Sequence, residues 1–409
     1  MKTVTAARYL TLLAAGTVAC MTAVVFANWL VNPFSLFEPP EIRGINRNKP
    51  GYVDHLRLTH VYRVNRLEPD CVLLGTSRTG RGLRPDHPAL SGWDCYNLAL
   101  PAISLYEMRR HLQHAQSVRP QKLAVLSLDF RVFNSRPDTS GAFVEQRLDV
   151  DPGGQPQSNL FSSRLPDMAS SLASGSALLA SMTSVRKQSW VKDTLAANGF
   201  WLPLTDEYDH VQAFRSYTRD TARRYAAASR DEAAYLDNIG QFRALVREAH
   251  ARKTELKIIV PPSHAWHWQT LWFSGLWPRF EDMKRTIVAL NEEEALRAGR
   301  APYPVRDFSG TTGPALEAVP EAPGPRMQWF WEPVHFKHAL GDAMLDAVMG
   351  GARPSTPDLA GFGARIDSSS IDRHLERLRA AQSAYELRNP VAVDRIRRLM
   401  AEANSGSGE

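Results

Sequence analysis

The sequence predicts an α/β fold in which helices cover a mainly parallel β-sheet, preceded by one transmembrane helix. Short apolar runs without apolar/polar alternation, such as CVLLG at 71–75 and KLAVLSLDF at 122–130, are typical of strands buried on both faces. Stretches with helical spacing separate these runs, as in α/β proteins. A charge-free segment near the N-terminus is long enough to cross a bilayer.

That segment, residues 9–31, reads YLTLLAAGTVACMTAVVFANWLV, and a membrane core takes roughly 20 apolar residues in a helix. Lys2 and Arg8 precede it, which predicts that residues 1–8 are cytoplasmic. No convincing small-x-small cleavage site follows, so an uncleaved anchor is preferred over a signal peptide. We therefore expect a single-pass inner (plasma) membrane protein whose C-terminal domain lies in the periplasm or is otherwise extracytoplasmic.

The rest of the chain divides by composition. Residues 32–69 form a polar, membrane-proximal lead-in, and residues 70–350 form the main domain. Residues 131–230, rich in Ser, Asp, Gly and Ala, are interpreted as an insertion in that domain. Residues 351–409 are expected to be a peripheral helical appendage that ends in a disordered tail. The predicted strands lie at 71–75, 95–100, 122–130 and 255–262, and the predicted helices at 105–117, 165–185, 210–229, 232–251, from about 333, 369–387 and 390–402.

Composition argues against a disordered chain and against a nucleic-acid-binding protein. Hydrophobic residues make up 44% of the 409 residues and charged residues 22%, which is typical of a globular chain. The net charge of +6 is mild, and no dense Lys/Arg run occurs, so a nucleic-acid partner is not expected. The small basic excess suits an acidic polymer or a membrane surface equally well.

Two of the three cysteines open apolar runs, in PDCVLLG (Cys71) and WDCYNLAL (Cys95). If these runs are neighbouring parallel strands, the cysteines start side by side and can form a disulfide. Two free, half-buried thiols remain the alternative. A disulfide would argue against a cytoplasmic domain. No Cys/His spacing suggests a zinc site, and neither a metal nor an organic cofactor is expected.

Ser77 and the pair Glu332/His335 carry the expected chemistry. Ser77 follows the first strand, and ligands of open α/β sheets bind at the carboxyl ends of strands. A carboxylate three residues before a histidine can hold the imidazole and leave its other nitrogen free. The alternative for Ser77 is the N-cap of the next helix.

An early Gly-x-Ser and a late acid-x-x-His on a strand–helix chain resemble the SGNH (GDSL-type) hydrolase superfamily. The chain is similar in particular to its membrane-anchored extracytoplasmic members that act in acylation, such as the alginate O-acetylation proteins and the DltD protein of teichoic-acid D-alanylation. The resemblance covers roughly residues 70–130 and 255–350. It implies an SGNH/flavodoxin-like three-layer sandwich.

The resemblance also implies roles for single residues. The family's first motif falls on Gly75–Ser77, which makes Ser77 the nucleophile and its backbone N–H an oxyanion donor. The second falls on Asn97–Ala102, where both family glycines are alanines and Ala102 can still offer its N–H. The fifth falls on Glu332–His335, with Glu in place of Asp. His335 is then the base, and Glu332 orients it.

The third motif falls on Ser127–Phe130 and puts Asp129 where the family has an oxyanion-donating asparagine. An ionised carboxylate there opposes the reaction. Asp129 can be protonated, can be neutralised by Arg78 or Arg131, or can point elsewhere and bind an arginine structurally.

Further residues are candidates for the same cleft. Arg78 and Arg81 can hold a carboxylated sugar or cap a helix, and His264, after IIVPP, is expected to line the cleft. The tryptophans can stack on sugar rings or form core: Trp266, Trp268, Trp272 and Trp277. Asp342 and Asp346 are interpreted as solvated or capping residues.

The resemblance thus implies a serine acyltransferase or esterase with a Ser-His-Glu triad, acting on O-acyl groups, expected to be acetyl, of an envelope or secreted polysaccharide. Its expected partners are the membrane, the glycan and a membrane-bound acyl-donor protein. The alternative is a non-catalytic, membrane-tethered scaffold or glycan-binding protein on a degenerate SGNH fold.

Overall fold

A computed structural model describes residues 6–134, 141–157, 160–203, 205, 208–227, 232–351 and 357–405. The chain forms two compact units. The first comprises Met1–Arg66, Val144–Leu195 and Trp201–Thr205, and the second comprises Leu67–Phe143, Ala196–Phe200 and Asp206–Glu409.

The helices and strands of the described residues are numbered along the chain. The helices are α1 (Ala6–Val31), α2 (Tyr52–Leu67), α3 (Ser77–Gly82), α4 (Leu105–Val118), α5 (Phe130–Phe133), α6 (Leu160–Ala173), α7 (Gly175–Arg186), α8 (His210–Ala227), α9 (Glu232–Arg252), α10 (Ala265–Phe273), α11 (Trp277–Arg297), α12 (His338–Met349), α13 (Ile371–Arg388) and α14 (Pro390–Ser405). The strands are β1 (Cys71–Leu74), β2 (Cys95–Asn97), β3 (Leu123–Ser127), β4 (Asp193–Leu195), β5 (Trp201–Pro203), β6 (Glu255–Val260), β7 (Val305–Asp307) and β8 (Ala364–Ile366).

The second unit contains a six-stranded sheet in the order β2-β1-β3-β6-β7-β8. Its pairs are parallel except for β8, which runs antiparallel to β7. Every residue of β1 and β3 is buried, which explains why their sequences do not alternate. Helices α4 and α9 pack against β1 and β6. The prediction of an α/β fold with a mainly parallel sheet is confirmed.

Four strands of this sheet correspond to the predicted apolar runs, and the structure adds β7 and β8. Each added strand has three residues, too few to show a pattern. β8 lies within the predicted appendage, and α14 packs against α8 and α10. Residues 357–405 are therefore part of the second unit's core rather than a peripheral tail. Residues 404 and 405 belong to α14, and the remainder of the expected disordered tail lies outside the described residues.

The expected insertion at 131–230 is divided between the units. Helices α6 and α7 and the β4–β5 hairpin belong to the first unit, whereas α5 and α8 belong to the second. Among the described helices, α1 is the one long and apolar enough to cross a membrane. It covers the predicted span and begins three residues earlier, at Ala6.

Candidate active site

Ser77 is the first residue of α3, directly after the turn that ends β1. A Cβ at Gly75 would collide with the side chain of Thr79, so glycine is required for this tight turn. The N-cap of α3 is Thr76, whose side chain accepts a hydrogen bond from the Arg78 N–H at 3.4 Å. Because Thr76 occupies the capping position, the hydroxyl of Ser77 is left for another partner.

That partner is His335, whose Nε2 lies 2.7 Å from Ser77 Oγ. His335 and Glu332 lie in a loop that precedes α12, which begins at His338 rather than near residue 333. The Glu332 carboxylate accepts the backbone N–H groups of Val334 at 2.7 Å and His335 at 3.0 Å. The same carboxylate contacts Nδ1 of His335, so the loop and the imidazole are held by one side chain.

The electrostatics of the pair favour an ionised Glu332. Burial alone would raise the pKa of its carboxyl, but His335 and the N–H of Val334 outweigh burial and lower that pKa below its ordinary value. An ionised carboxylate only accepts hydrogen bonds, so Nδ1 of His335 carries a proton. In the neutral ring, Nε2 then accepts the hydrogen bond from Ser77 Oγ–H. This is the arrangement that nucleophilic catalysis by serine requires.

Ser77 and His335 line a cavity of about 430 Å³, which is within the range of small-molecule sites. Helix α8 supplies one wall of it, and the ring of Tyr217 meets that of His335 edge-on with centroids 5.9 Å apart. The lining residues include Thr76, Ser77, Arg78, Ala102, Asp129, Phe130, Arg131, Asn134, Tyr217, Thr221, Arg224, Tyr225, His267 and His335.

Asp129 lines this cavity, and its carboxylate is already engaged. It accepts the Thr76 hydroxyl at 2.6 Å and the N–H of Val132, at the start of α5, at 3.3 Å. Nε of the buried Arg78 lies 3.8 Å away. Asp129 therefore caps α5 and is ion-paired with Arg78, one of the two arginines that the sequence offered as its partner.

His267, on α10, contacts Arg78 at 3.4 Å and the hydroxyl of Tyr225 at 3.2 Å. Burial, with the charges of Arg78 and Arg224, lowers the pKa of His267 well below its ordinary value, so its ring is neutral. His267 was not among the residues predicted for the cleft. The signal available was its place in the first turn of the helix after a parallel strand.

Ala102 and Asn97, both expected near the oxyanion, behave differently. Ala102 lines the cavity with φ of 53°, in the left-handed region that favours glycine. Asn97 is fully buried and does not line the cavity. Its Nδ2 donates to the carbonyls of Thr79 and Leu83 at 3.0 and 2.9 Å, so it positions α3.

His264 does not line this cavity either. It is the N-cap of α10, with Nε2 2.7 Å from the Glu317 carbonyl and Nδ1 accepting from the Trp266 N–H. Burial lowers its pKa to about 4, and it borders a different cavity. It is therefore a neutral capping residue.

The tryptophan cluster forms core, since Trp266, Trp268 and Trp277 are buried and Trp272 packs against Trp277. Arg81 lies at the end of α3, outside the cavity lining. Asp342 pairs with Arg84 at 2.9 Å, and Asp346 lies 3.8 Å from His87.

Cys71 and Cys95 face each other at the starts of β1 and β2, with Cα atoms 4.3 Å apart, and are joined by a disulfide. Within the described residues, no group of three or more His, Cys, Asp or Glu side chains is arranged to hold a metal ion.

Comparison with known proteins found no family model, no curated protein and no solved structure that matches this chain.

Proposed function

We propose that this protein is a membrane-anchored serine acyltransferase or esterase of the SGNH type, acting on O-acyl groups, acetyl in the first instance, of an envelope or secreted polysaccharide. The observation that carries the proposal is the hydrogen-bonded series Ser77–His335–Glu332 at the wall of a cavity. These residues come from chain segments more than 250 positions apart, and the fold brings them within contact distance.

In the proposed reaction, Ser77 Oγ attacks the acyl carbonyl carbon while Nε2 of His335 takes the hydroxyl proton. The negative charge on the carbonyl oxygen is met by the backbone N–H groups of Ser77 and Ala102. The tetrahedral intermediate expels the donor alcohol, which receives the proton from His335, and an acyl-serine remains. A sugar hydroxyl or water then attacks the acyl-serine, giving its proton to His335, and Ser77 is regenerated.

Two features support an extracytoplasmic location for this chemistry. Helix α1 is suited to span a membrane, and the Cys71–Cys95 disulfide is of a kind that persists in oxidising compartments. Activated acyl groups are made in the cytoplasm and must cross the membrane to reach such a domain. A membrane-bound protein that delivers the acyl group is therefore the proposed partner.

The non-catalytic alternative is favoured by departures from the SGNH motifs. Alanines stand at 99 and 102 in place of glycines, and Asp129 stands in place of an oxyanion-donating asparagine. The contacts of Asp129 with the Thr76 hydroxyl and Arg78 reduce the weight of this observation, because its carboxylate already has a hydrogen-bond donor and a cation as partners. An intact triad opposes it further.

The test is labelling of the full chain, in detergent, with a fluorophosphonate, followed by mass spectrometry of the adduct. We expect the adduct at Ser77 in the wild type and none in Ser77→Ala or His335→Ala. Ser91→Ala, an exposed serine between the two disulfide cysteines, is the matched control and should label normally. Absence of labelling in wild-type protein whose circular dichroism shows it folded would establish the scaffold alternative instead.

A further inference from the structure

The first unit contains a helical hairpin, α6 and α7, that packs directly on the C-terminal end of α1. Asn28 of α1 is fully buried there. Its Nδ2 donates to the Leu172 carbonyl at 2.8 Å, and its Oδ1 accepts from Ser181 Oγ at 2.8 Å. Helix α1 is exposed from Ala6 to Ala23 and becomes partly buried from Val24 onward.

The sequence of this hairpin is unusual for a surface element. Residues 168–185, MASSLASGSALLASMTSV, contain no charged residue, and basic residues follow at once in Arg186 and Lys187. Several large apolar side chains point away from the protein, with exposed fractions of 40–66%. They are Leu165, Met168, Leu179, Met182 and Val185. Large apolar side chains exposed on both helices of one hairpin are typical of an interaction site.

The length of α1 indicates the depth in a bilayer at which the hairpin would contact this helix. A hydrocarbon core of about 30 Å takes roughly 20 helical residues. Counted from Tyr9, where the charge-free segment begins, such a span ends close to Asn28. The hairpin therefore contacts α1 where that helix would leave the hydrocarbon core. The exposed part of α1, before Val24, would lie within the hydrocarbon core.

The polar groups of the hairpin suit that boundary. The N-terminal end of α7 is capped by Ser174 Oγ, which accepts the Ala177 N–H at 3.0 Å, and Ser181 is bonded to Asn28. Small residues (Ala, Ser and Gly) dominate the turn between α6 and α7 and allow close helix packing in an apolar environment. Basic side chains directly after an apolar helix favour anionic headgroups.

We propose that the α6–α7 hairpin is a membrane-embedded element, seated in the interface of the same bilayer that α1 spans. The occupant of its exposed apolar surface is lipid: Leu179 and Met182 contact acyl chains, and Arg186 and Lys187 lie among headgroups. The proposal rests on the membrane anchoring in the proposed function but not on the triad. It gives the expected insertion a role that the sequence did not reveal.

The test places a fluorophore at residue 179 in the full chain. A Cys20→Ser background removes the free cysteine, Leu179→Cys carries a nitrobenzoxadiazole label, and the protein is reconstituted into phosphatidylcholine–phosphatidylglycerol vesicles. Quenching by lipids with spin-labelled acyl chains is compared with quenching by aqueous iodide. Val18→Cys, on the exposed part of α1, and Arg47→Cys, a charged position of the same unit, are the controls.

We expect the labels at 179 and at 18 both to be quenched by the spin-labelled lipid and both to be shielded from iodide, whereas the label at 47 is quenched by iodide. Iodide quenching at 179 with lipid quenching at 18 would overturn the proposal while leaving the anchor intact. Shielding of 179 from both quenchers would overturn it in favour of a protein partner on this surface. Failure of lipid quenching at 18 would overturn the membrane anchor itself.

Discussion

Two carboxylate–histidine pairs in the larger unit differ in what surrounds them. Glu332 holds His335, whose far nitrogen lies 2.7 Å from the Ser77 hydroxyl at the wall of a cavity. Asp307 holds His374 at 2.8 Å, but the same carboxylate oxygen also lies 2.8 Å from Lys284 Nζ. The charged side chains of Lys284 and Asp307 are both fully buried.

The difference shows what makes such a pair a candidate for catalysis. The Asp307 carboxylate is neutralised by Lys284, which also donates to Ser309 Oγ at 2.7 Å, so this network joins β7 to α11 and α13. Among the residues that the structure describes, the Glu332 carboxylate is ion-paired with the imidazole of His335. The Asp307 network holds elements together, whereas the Glu332–His335 pair presents an imidazole nitrogen to the Ser77 hydroxyl.

The largest effect expected from this comparison is on turnover. His335→Ala should lower kcat for a simple ester such as p-nitrophenyl acetate by about 10⁴–10⁶-fold, because loss of the triad histidine removes most of the catalysis. His374→Ala should leave kcat unchanged and instead lower the free energy of unfolding by about 1–3 kcal/mol, since a buried charge loses one hydrogen bond. Initial rates and urea unfolding of both variants measure this. Loss of turnover in His374→Ala without loss of stability would break the distinction.

One of these two carboxylate–histidine pairs is visible in the sequence and the other is not, for a physical reason. Glu332 and His335 are three residues apart, so their contact is local and visible as a motif. Asp307 and His374 meet only because β7 and α13 pack together, and a three-residue strand carries no periodic signal. Ser77 and β1 were predicted from the same signal, which is an apolar run that stops at Gly75.

The walls of the cavity could not be predicted in the same way. Tyr217, Arg224 and Tyr225 lie on α8, in a segment that composition marked as an insertion. His264 was expected in the cleft because it follows a strand, yet the next turn of the chain makes it a helix cap and brings His267 to the cavity. Which of two neighbouring histidines faces a cavity depends on one helical turn, and the strand pattern does not encode that.

A smaller effect is expected for stability at the second pair. Asp307→Asn should cost about 3–5 kcal/mol, because Lys284 is left as a buried charge without its carboxylate. Asp342→Asn, which removes a partly exposed partner of Arg84, should cost no more than about 1 kcal/mol. Urea denaturation of the two variants checks the contrast. Equal costs would mean that the buried network contributes no more than a surface ion pair.

The stability that Asp307 contributes should depend on pH in a defined direction. Burial by itself raises the pKa of Asp307, but Lys284 and His374 outweigh it and lower that pKa well below its ordinary value. A carboxyl with a lowered pKa contributes stability that is complete above its ordinary pKa, near 4, and is lost as the pH falls through the folded-state value. The stability gap between wild type and Asp307→Asn should therefore be constant at neutral pH and narrow in acid. A gap that widens in acid would contradict the ionised state of Asp307.

The smallest effect is expected at the cavity itself. Ala102 has φ of 53°, and the left-handed region costs a residue with a Cβ about 1–2 kcal/mol. Ala102→Gly should raise the free energy of unfolding by about 0.5–1 kcal/mol, after the extra entropy of unfolded glycine is subtracted. Thermal unfolding measures this. Destabilisation by the glycine would show that the alanine methyl group contributes packing that exceeds its backbone strain.

The strand order of the sheet also determines when the fold can be completed during synthesis. β1, β2 and β3 emerge within one short stretch of chain, but the neighbour of β3 on its other side is β6, which follows only after residues 128–254. Until then the apolar edge of β3 has no partner, and pairing over such a long separation is intrinsically slow. The nascent chain therefore carries an open sheet edge for much of its production, a state prone to wrong pairing with other chains.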